Sequence, residues 1–121
     1  MDATVNELTV NGTVYVKKGS EESKPTMAGN YVIVRTQNAG VFAGELEEDY
    51  QDKITLKNAR RLWYWDGAAS LSQMAMEGVK NPTACKFPQE VPEIFLSQVI
   101  EIIPASEVAQ KCIKAVAIWK R

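Results

Sequence analysis

The sequence predicts a mainly β protein: a small, strongly bent barrel with a short inserted helix, a hairpin before it and a helix at its end. Three observations carry this. The segments YVIVRTQ, VFAGELE and KITLKNA are rich in β-branched residues or alternate apolar with polar, and the turn-forming runs NAG and EEDYQD separate them. Gly44 interrupts the middle segment, and a strand that folds over itself needs a glycine at the bend. Apolar residues recur at helical spacing in two short stretches, 71–78 and 108–116.

Taken in order, ELTVNGTVYVKK alternates around Asn11-Gly12, the pair preferred by a two-residue hairpin turn, so Glu7–Lys17 reads as a hairpin within an arm over residues 1–18. GSEESKPTMAGN has the composition of a flexible connector, taken as residues 19–29, and the compact domain is expected over 30–121. In the three-strand meander that follows, Phe42 and Leu46 share a face, as do Ile54 and Leu56, with Lys53, Thr55 and Lys57 on the opposite one. An insertion of about 60–92 comes next. Within it Asp66 is placed to cap a short helix bearing Leu71, Met74, Ala75 and Gly78, and PTACKFPQEVP, with three prolines, reads as an irregular crossing segment. FLSQVIEIIP returns to strand character. Ser106 is an N-cap with Glu107 in the first turn, and Val108, Ala109, Cys112, Ile113 and Val116 form the apolar stripe of the last helix.

Composition bounds the function. At 121 residues, 45% hydrophobic and 24% charged, the chain is the size of one globular domain with one core. Fourteen basic against fifteen acidic residues give no long-range pull on a polyanion, so any nucleic-acid site must be a local patch. No apolar run is long enough to span a bilayer and the N-terminus lacks the pattern of a secretion signal, which predicts a cytosolic protein without a membrane partner. Cys85 and Cys112 are expected as buried, reduced thiols. The absence of histidine removes the common Cys/His zinc sets and the histidine-activated nucleophiles, so a non-catalytic protein without cofactor or metal is expected. AGVFAG has no Lys-Ser or Lys-Thr after it and is not a phosphate loop, and Glu45, Glu47, Glu48, Asp49 and Asp52 lack the spacing of a calcium loop. Lys111, Lys114, Lys120 and Arg121 are expected to face solvent.

The run from Val32 to Asn58 resembles the first motif of Sm-like barrels, nearest to the bacterial RNA chaperone Hfq. VIVRT, the NAG turn, GELEEDYQD and ITLKN carry the likeness, with FLSQVIEIIP where the closing strands would stand. The resemblance implies an Sm-like or SH3-like barrel that forms rings of about six copies joined edge to edge. The Tyr-Lys-His segment of the uridine site has no counterpart here, so that site is not implied. The whole chain, through AGVFAG, NARRLWYWDGAASLSQMAMEGV, CKFP and VAIWK, resembles a family of small proteins of unassigned activity encoded by phages and prophages. That setting implies a protein working in the host-cell cytoplasm.

The segment RRLWYWDGAAS holds the candidate site. Strand alternation puts Arg61, Trp63 and Trp65 on one face and Arg60, Leu62 and Tyr64 on the other, so one face offers a guanidinium beside two indoles. Indoles stack on nucleobases and arginine makes paired hydrogen bonds to phosphate. Ser70 and Gln73, at the start of the inserted helix, can add hydrogen bonds to an anion there. The alternative is that the aromatics fill the core or a subunit contact. Arg60, Arg61, Trp63, Tyr64, Trp65, Ser70 and Gln73 are therefore the expected ligand-binding set, at least one arginine having a ligand or carboxylate partner. Three functions stay open: a binder of a nucleotide-like ligand, serving to sequester a host defence signal; a ring binding single-stranded RNA or DNA; and a structural or protein-inhibiting component.

Overall fold

The computed structural model describes residues 26–120. The hairpin expected at Glu7–Lys17 and most of the connector lie outside them. Five strands and two helices follow in order: β1 (Met27–Thr36), β2 (Val41–Tyr50), β3 (Lys53–Arg61), α1 (Leu71–Glu77), β4 (Val91–Leu96), β5 (Val99–Ser106) and α2 (Glu107–Ala115). The mainly β class with two short helices is as the sequence predicts. β1 begins at Met27, inside the stretch read as connector, and the Glu107 amide donates to the Thr26 carbonyl at 2.7 Å.

All strand pairs are antiparallel and the order across the sheet is β4-β3-β2-β1-β5. β4 and β5 occupy opposite edges, yet only Ser97 and Gln98 separate them along the chain. Two residues span a few ångströms, so the sheet must curl until its edges approach at that end. Gly44 allows the bend: β2 slips register against β3 between Ala43 and Glu45, and a Cβ on Gly44 would stand 3.0 Å from the Ala59 Cα.

Side-chain alternation then gives two cores, where a single one is expected from length. Inside the curl lie Val32, Val34, Phe42, Ile54, Leu56, Ala59 and Leu96, with Leu46 at their margin. On the outer face Tyr31, Ile33 and Ala43 pack with Leu62, Phe87 and the buried sides of both helices. Thr55, on the face opposite Ile54 and Leu56, is buried too, and Val108 is exposed although it belongs to the predicted stripe; Ala109 and Ile113 make the buried side of α2, with Val116 buried just after it.

Three element assignments change. FLSQVIEIIP, read as returning to strand character, holds the end of β4 and most of β5, and β4 starts at Val91, within the segment read as irregular. Arg60 and Arg61 end β3, and the insertion begins after them. Ser70 caps α1 in place of Asp66: its Oγ accepts from the Gln73 amide at 3.1 Å, while Asp66 accepts from the Asn81 side chain at 3.1 Å. Ser106 caps α2 as expected, accepting from the Ala109 amide at 3.0 Å and donating to the Met76 carbonyl at 2.6 Å, which ties the two helices together. Both cysteines are free thiols. Cys112, only partly buried, accepts from the Val79 amide and donates to the Val79 carbonyl, each at 3.3 Å.

Candidate functional site

The site begins at the end of β3, where alternation sends neighbouring arginines to opposite faces. Arg60 goes to the outer face of the sheet, into the core beneath the insertion and α2, and is 3% exposed. Its guanidinium donates to three backbone carbonyls: Pro88 at 2.8 Å, Ile113 at 2.8 Å and Phe87 at 3.0 Å. It also lies 5.6 Å from the Phe87 ring centre. Burial penalises the charged form and pushes the Arg60 pKa down. Arg60 thus clamps the insertion and α2 onto the sheet, and it does not stand beside the indoles as a second ligand arginine.

Arg61 goes to the other face. Its guanidinium covers the ring of its cross-strand partner Phe42 at 4.5 Å and donates to the Ala39 carbonyl. These contacts hold a long side chain in place before any ligand arrives. Neither arginine has a carboxylate within ion-pair distance among the described residues.

The chain stays extended past β3. Leu62 donates to the Val41 carbonyl at 2.8 Å, and Tyr64 exchanges hydrogen bonds with Lys86. Extension keeps the alternation going, so Leu62 is buried while Arg61, Trp63 and Trp65 fall on one side. Together with Asn38, Ala39, Gly40 and Val41 these three line a cavity of about 370 Å³, within the range that holds small ligands. Thr36 pins the loop opposite them, donating its hydroxyl proton to the Gly40 carbonyl and accepting from the Ala39 amide, both at 2.9 Å. Trp63 is 60% exposed, which makes its ring face available. Trp65 is half-buried and backs onto the outer core.

Tyr64 lies on the opposite side of the strand, 50% exposed. Ser70 and Gln73 are absent from the cavity wall. Their polar atoms serve the helix, Ser70 as its cap and Gln73 accepting from the Ala69 amide at 2.9 Å and donating to Glu77 at 3.3 Å. The arrangement resembles a capping box shifted by one residue, the glutamine three residues after the serine taking the Ala69 amide instead of that of Ser70 itself. Of the seven expected residues, the structure gathers Arg61, Trp63 and Trp65 into one cavity, sets Tyr64 beside it, and gives Arg60, Ser70 and Gln73 structural partners.

Sequence reasoning missed Lys86 and Trp119. The bridge between Phe87 and Ile118, with the Trp119 amide donating to the Phe87 carbonyl at 3.0 Å, brings the end of the chain alongside the aromatic segment. The Trp119 ring lies 6.5 Å from that of Trp63, and the Lys86 ammonium sits 5.7 Å from the Trp119 ring and 5.8 Å from the Tyr64 ring. The available signal was an aromatic flanked by basic residues in AIWKR.

A larger hollow, about 410 Å³, lies at the β2–β3 turn and the end of β4, lined by Tyr50, Ile54, Phe95 and Leu96 with Glu48 and Lys53 at its rim. It offers apolar surface and a balanced pair of charges, so the smaller cavity has the better chemistry for an anionic flat ligand. The acidic tip Glu47–Asp49 stands at the other end of β2, up to about 25 Å along the strand from Val41. Among the described residues no group of three His, Cys, Asp or Glu is placed to hold a metal ion, and no helix is long and apolar enough to cross a membrane.

Residues 29–113, more than two thirds of the chain, match the model of a domain of unknown function, DUF6948. The chain belongs to the DUF6948 family. No match is found among curated proteins or among solved structures. The matched stretch of the DUF6948 domain runs from the start of β1 into α2 and contains the whole cavity; Trp119 lies beyond it.

Proposed function

We propose that this DUF6948 protein is a non-catalytic binder of a nucleotide-like ligand, held in the cavity of Arg61, Trp63 and Trp65. One observation carries the reading: a pre-positioned guanidinium without a carboxylate partner among the described residues shares a cavity of about 370 Å³ with two indoles, one of them 60% exposed. The base stacks on Trp63, and Arg61 binds the phosphate through its remaining N–H groups. In a phage-infected cell such a protein serves to sequester a nucleotide defence signal in the cytoplasm. Titrating nucleotides against tryptophan fluorescence tests the site. Saturable quenching is expected, weakened about tenfold or more in Arg61→Gln, the value of a lost charge-assisted hydrogen bond. Absence of quenching up to millimolar adenine, guanine, cytosine and uracil nucleotides refutes the proposal.

A second reading, a ring binding single-stranded RNA or DNA, is favoured by the sheet edges. Among the described residues β4 and β5 each have one unpaired edge, with Phe95 75% exposed and Ile100 51% exposed beside them. Unpaired edges seek a partner strand. Self-association through β4 and β5, up to a hexamer, is therefore part of the proposal and is read by native mass spectrometry. Strand binding would weaken with salt, the logarithm of affinity falling by about 0.7 per phosphate contacted for each unit of log salt.

A further inference from the structure

We propose that the hollow at the β2–β3 turn is the docking site of the chain's own N-terminal segment, residues 7–18, which lie outside the described residues. This surface is separate from the Arg61 cavity and takes no part in the nucleotide reading.

The hollow is open and mostly apolar. Two large aromatic side chains stand on its wall above Ile54 and Leu96, Phe95 being 75% exposed and Tyr50 69% exposed, around a volume of about 410 Å³. Phe95 pairs across to Thr55 and Tyr50 to Lys53, so the two rings flank β3 on either side. Clustered exposed apolar surface marks an interaction site. Beside it Glu47, Glu48 and Asp49 form an exposed acidic row, and none of the three has an ion-pair partner among the described residues. The surface therefore fits an occupant with a small apolar face and a basic end.

The chain carries such a segment in its own sequence. In the hairpin predicted at Glu7–Lys17, a two-residue turn at Asn11-Gly12 sets Leu8 opposite Tyr15 and Val10 opposite Thr13 on one face, and Lys17-Lys18 follow at its end. A lone two-stranded hairpin is marginal in water and is stabilised by packing on a larger body. Leu8, Val10 and Tyr15 match the apolar hollow, and Lys17-Lys18 match the acidic row. The hollow is also within reach. The Asn30 side chain donates to the Leu46 carbonyl at 3.2 Å, and Glu48 on the rim stands about 7 Å further along β2. Thr26 is at most about 14 Å from Asn30, and residues 18–26 extend to as much as about 28 Å, enough to bridge from β1 to the hollow. Packing through side chains leaves the outer amides of β4 free to pair with another copy.

Hydrogen exchange on the full chain, read by mass spectrometry of peptides spanning residues 7–18, tests the docking. Wild-type amides there are expected to exchange at least about tenfold more slowly than in the free peptide of the same sequence. Phe95→Ser and Tyr50→Ser, both at exposed positions, should return them to the free-peptide rate and leave the circular dichroism of the folded domain unchanged. Leu8→Asp should do the same from the segment's side, so the test holds even if a hollow variant loses its fold. Free-peptide rates in the wild type, or slow exchange that survives both hollow substitutions, overturn the docking. Slow exchange that is lost on dilution, in step with a fall in oligomer mass, shows the segment seated on a second copy and overturns its placement within one chain.

Discussion

Arg60 is expected to stabilise the fold and to be dispensable for ligand contact, and Arg60→Met tests the first half of that claim. The substitution keeps most of the stem volume and removes the guanidinium, so the carbonyls of Phe87 and Ile113 keep only the amides of Trp119 and Val116 as donors, and that of Pro88 is partly within reach of water. A hydrogen bond from a charged donor is worth about 1.5–3 kcal/mol. The two buried ones therefore predict a loss of about 3–6 kcal/mol. Against this, methionine removes a charge that burial already disfavours, as the lowered pKa of Arg60 shows, and replacing buried charge with apolar surface recovers some free energy. The net expectation is about 3 kcal/mol, which for a domain of this size lowers the melting temperature by about 12 °C or more. Arg60→Lys should lose about half as much, because one ammonium cannot reach carbonyls from three separate residues. Urea unfolding at pH 7, followed by circular dichroism, gives the free energies directly. A loss below about 1 kcal/mol in Arg60→Met refutes the clamp and returns Arg60 to the list of candidate ligand residues.

Tyr31 makes the opposite prediction. Its hydroxyl is buried without a hydrogen-bond partner among the described residues, so Tyr31→Phe should be neutral or stabilising by about 1 kcal/mol in thermal unfolding at pH 7. Burial raises the Tyr31 pKa above its ordinary value of 10.0, first by desolvation and then through Glu90. A raised folded-state pKa means stability that is complete below pH 10 and is lost as pH climbs toward the folded value. The wild-type chain should accordingly lose stability above about pH 10 more steeply than Tyr31→Phe, and parallel pH profiles would contradict this. Gly67→Ala should destabilise by more than about 2 kcal/mol, since φ is +99° there and a Cβ would meet the Lys80 amide nitrogen and stand 2.6 Å from that of Asn81. Trp63→Ala should abolish fluorescence quenching by nucleotides while changing the unfolding free energy by less than about 1 kcal/mol, because the side chain is mostly in solvent.

The parts of this molecule that local pattern controls were legible. β-branched density and alternation marked β1, β2 and β3, Gly44 marked the bend, and Ser106-Glu107 marked the start of α2. That the boundary between β4 and β5 is unmarked in FLSQVIEIIP has a physical cause. Its two-residue connector, Ser97-Gln98, puts glutamine at φ +57°, and the other tight connector, Gln51-Asp52, puts Gln51 at φ +55°. Neither uses the Asn-Gly or Gly-containing pair that advertises a two-residue turn. The helix cap was misplaced for a related reason: Asp66 and Ser70 are both favoured cap types, and the reciprocal partner that decides between them, Gln73, acts through a hydrogen bond to Ala69.

The candidate site was legible in its sidedness and illegible in its depth. Alternation along β3 separates Arg60 from Arg61, but which of the two is enclosed depends on carbonyls at Phe87, Pro88 and Ile113, which arrive from 27, 28 and 53 residues away. No feature of RRLWYWD reports them. The same long-range delivery that encloses one arginine also brings the end of the chain alongside the aromatic segment, because Phe87 both accepts from Arg60 and pairs with the segment that carries Trp119. A change that frees Arg60 from the Phe87 carbonyl should therefore loosen Trp119 from Trp63, a wall of the Arg61 cavity, as well. That makes the clamp and the cavity wall one mechanical unit: Arg60→Lys should weaken nucleotide binding in the tryptophan-fluorescence titration, although its side chain lies outside the cavity. Unchanged binding by a folded Arg60→Lys would separate the clamp from the cavity and confine Arg60 to stability alone.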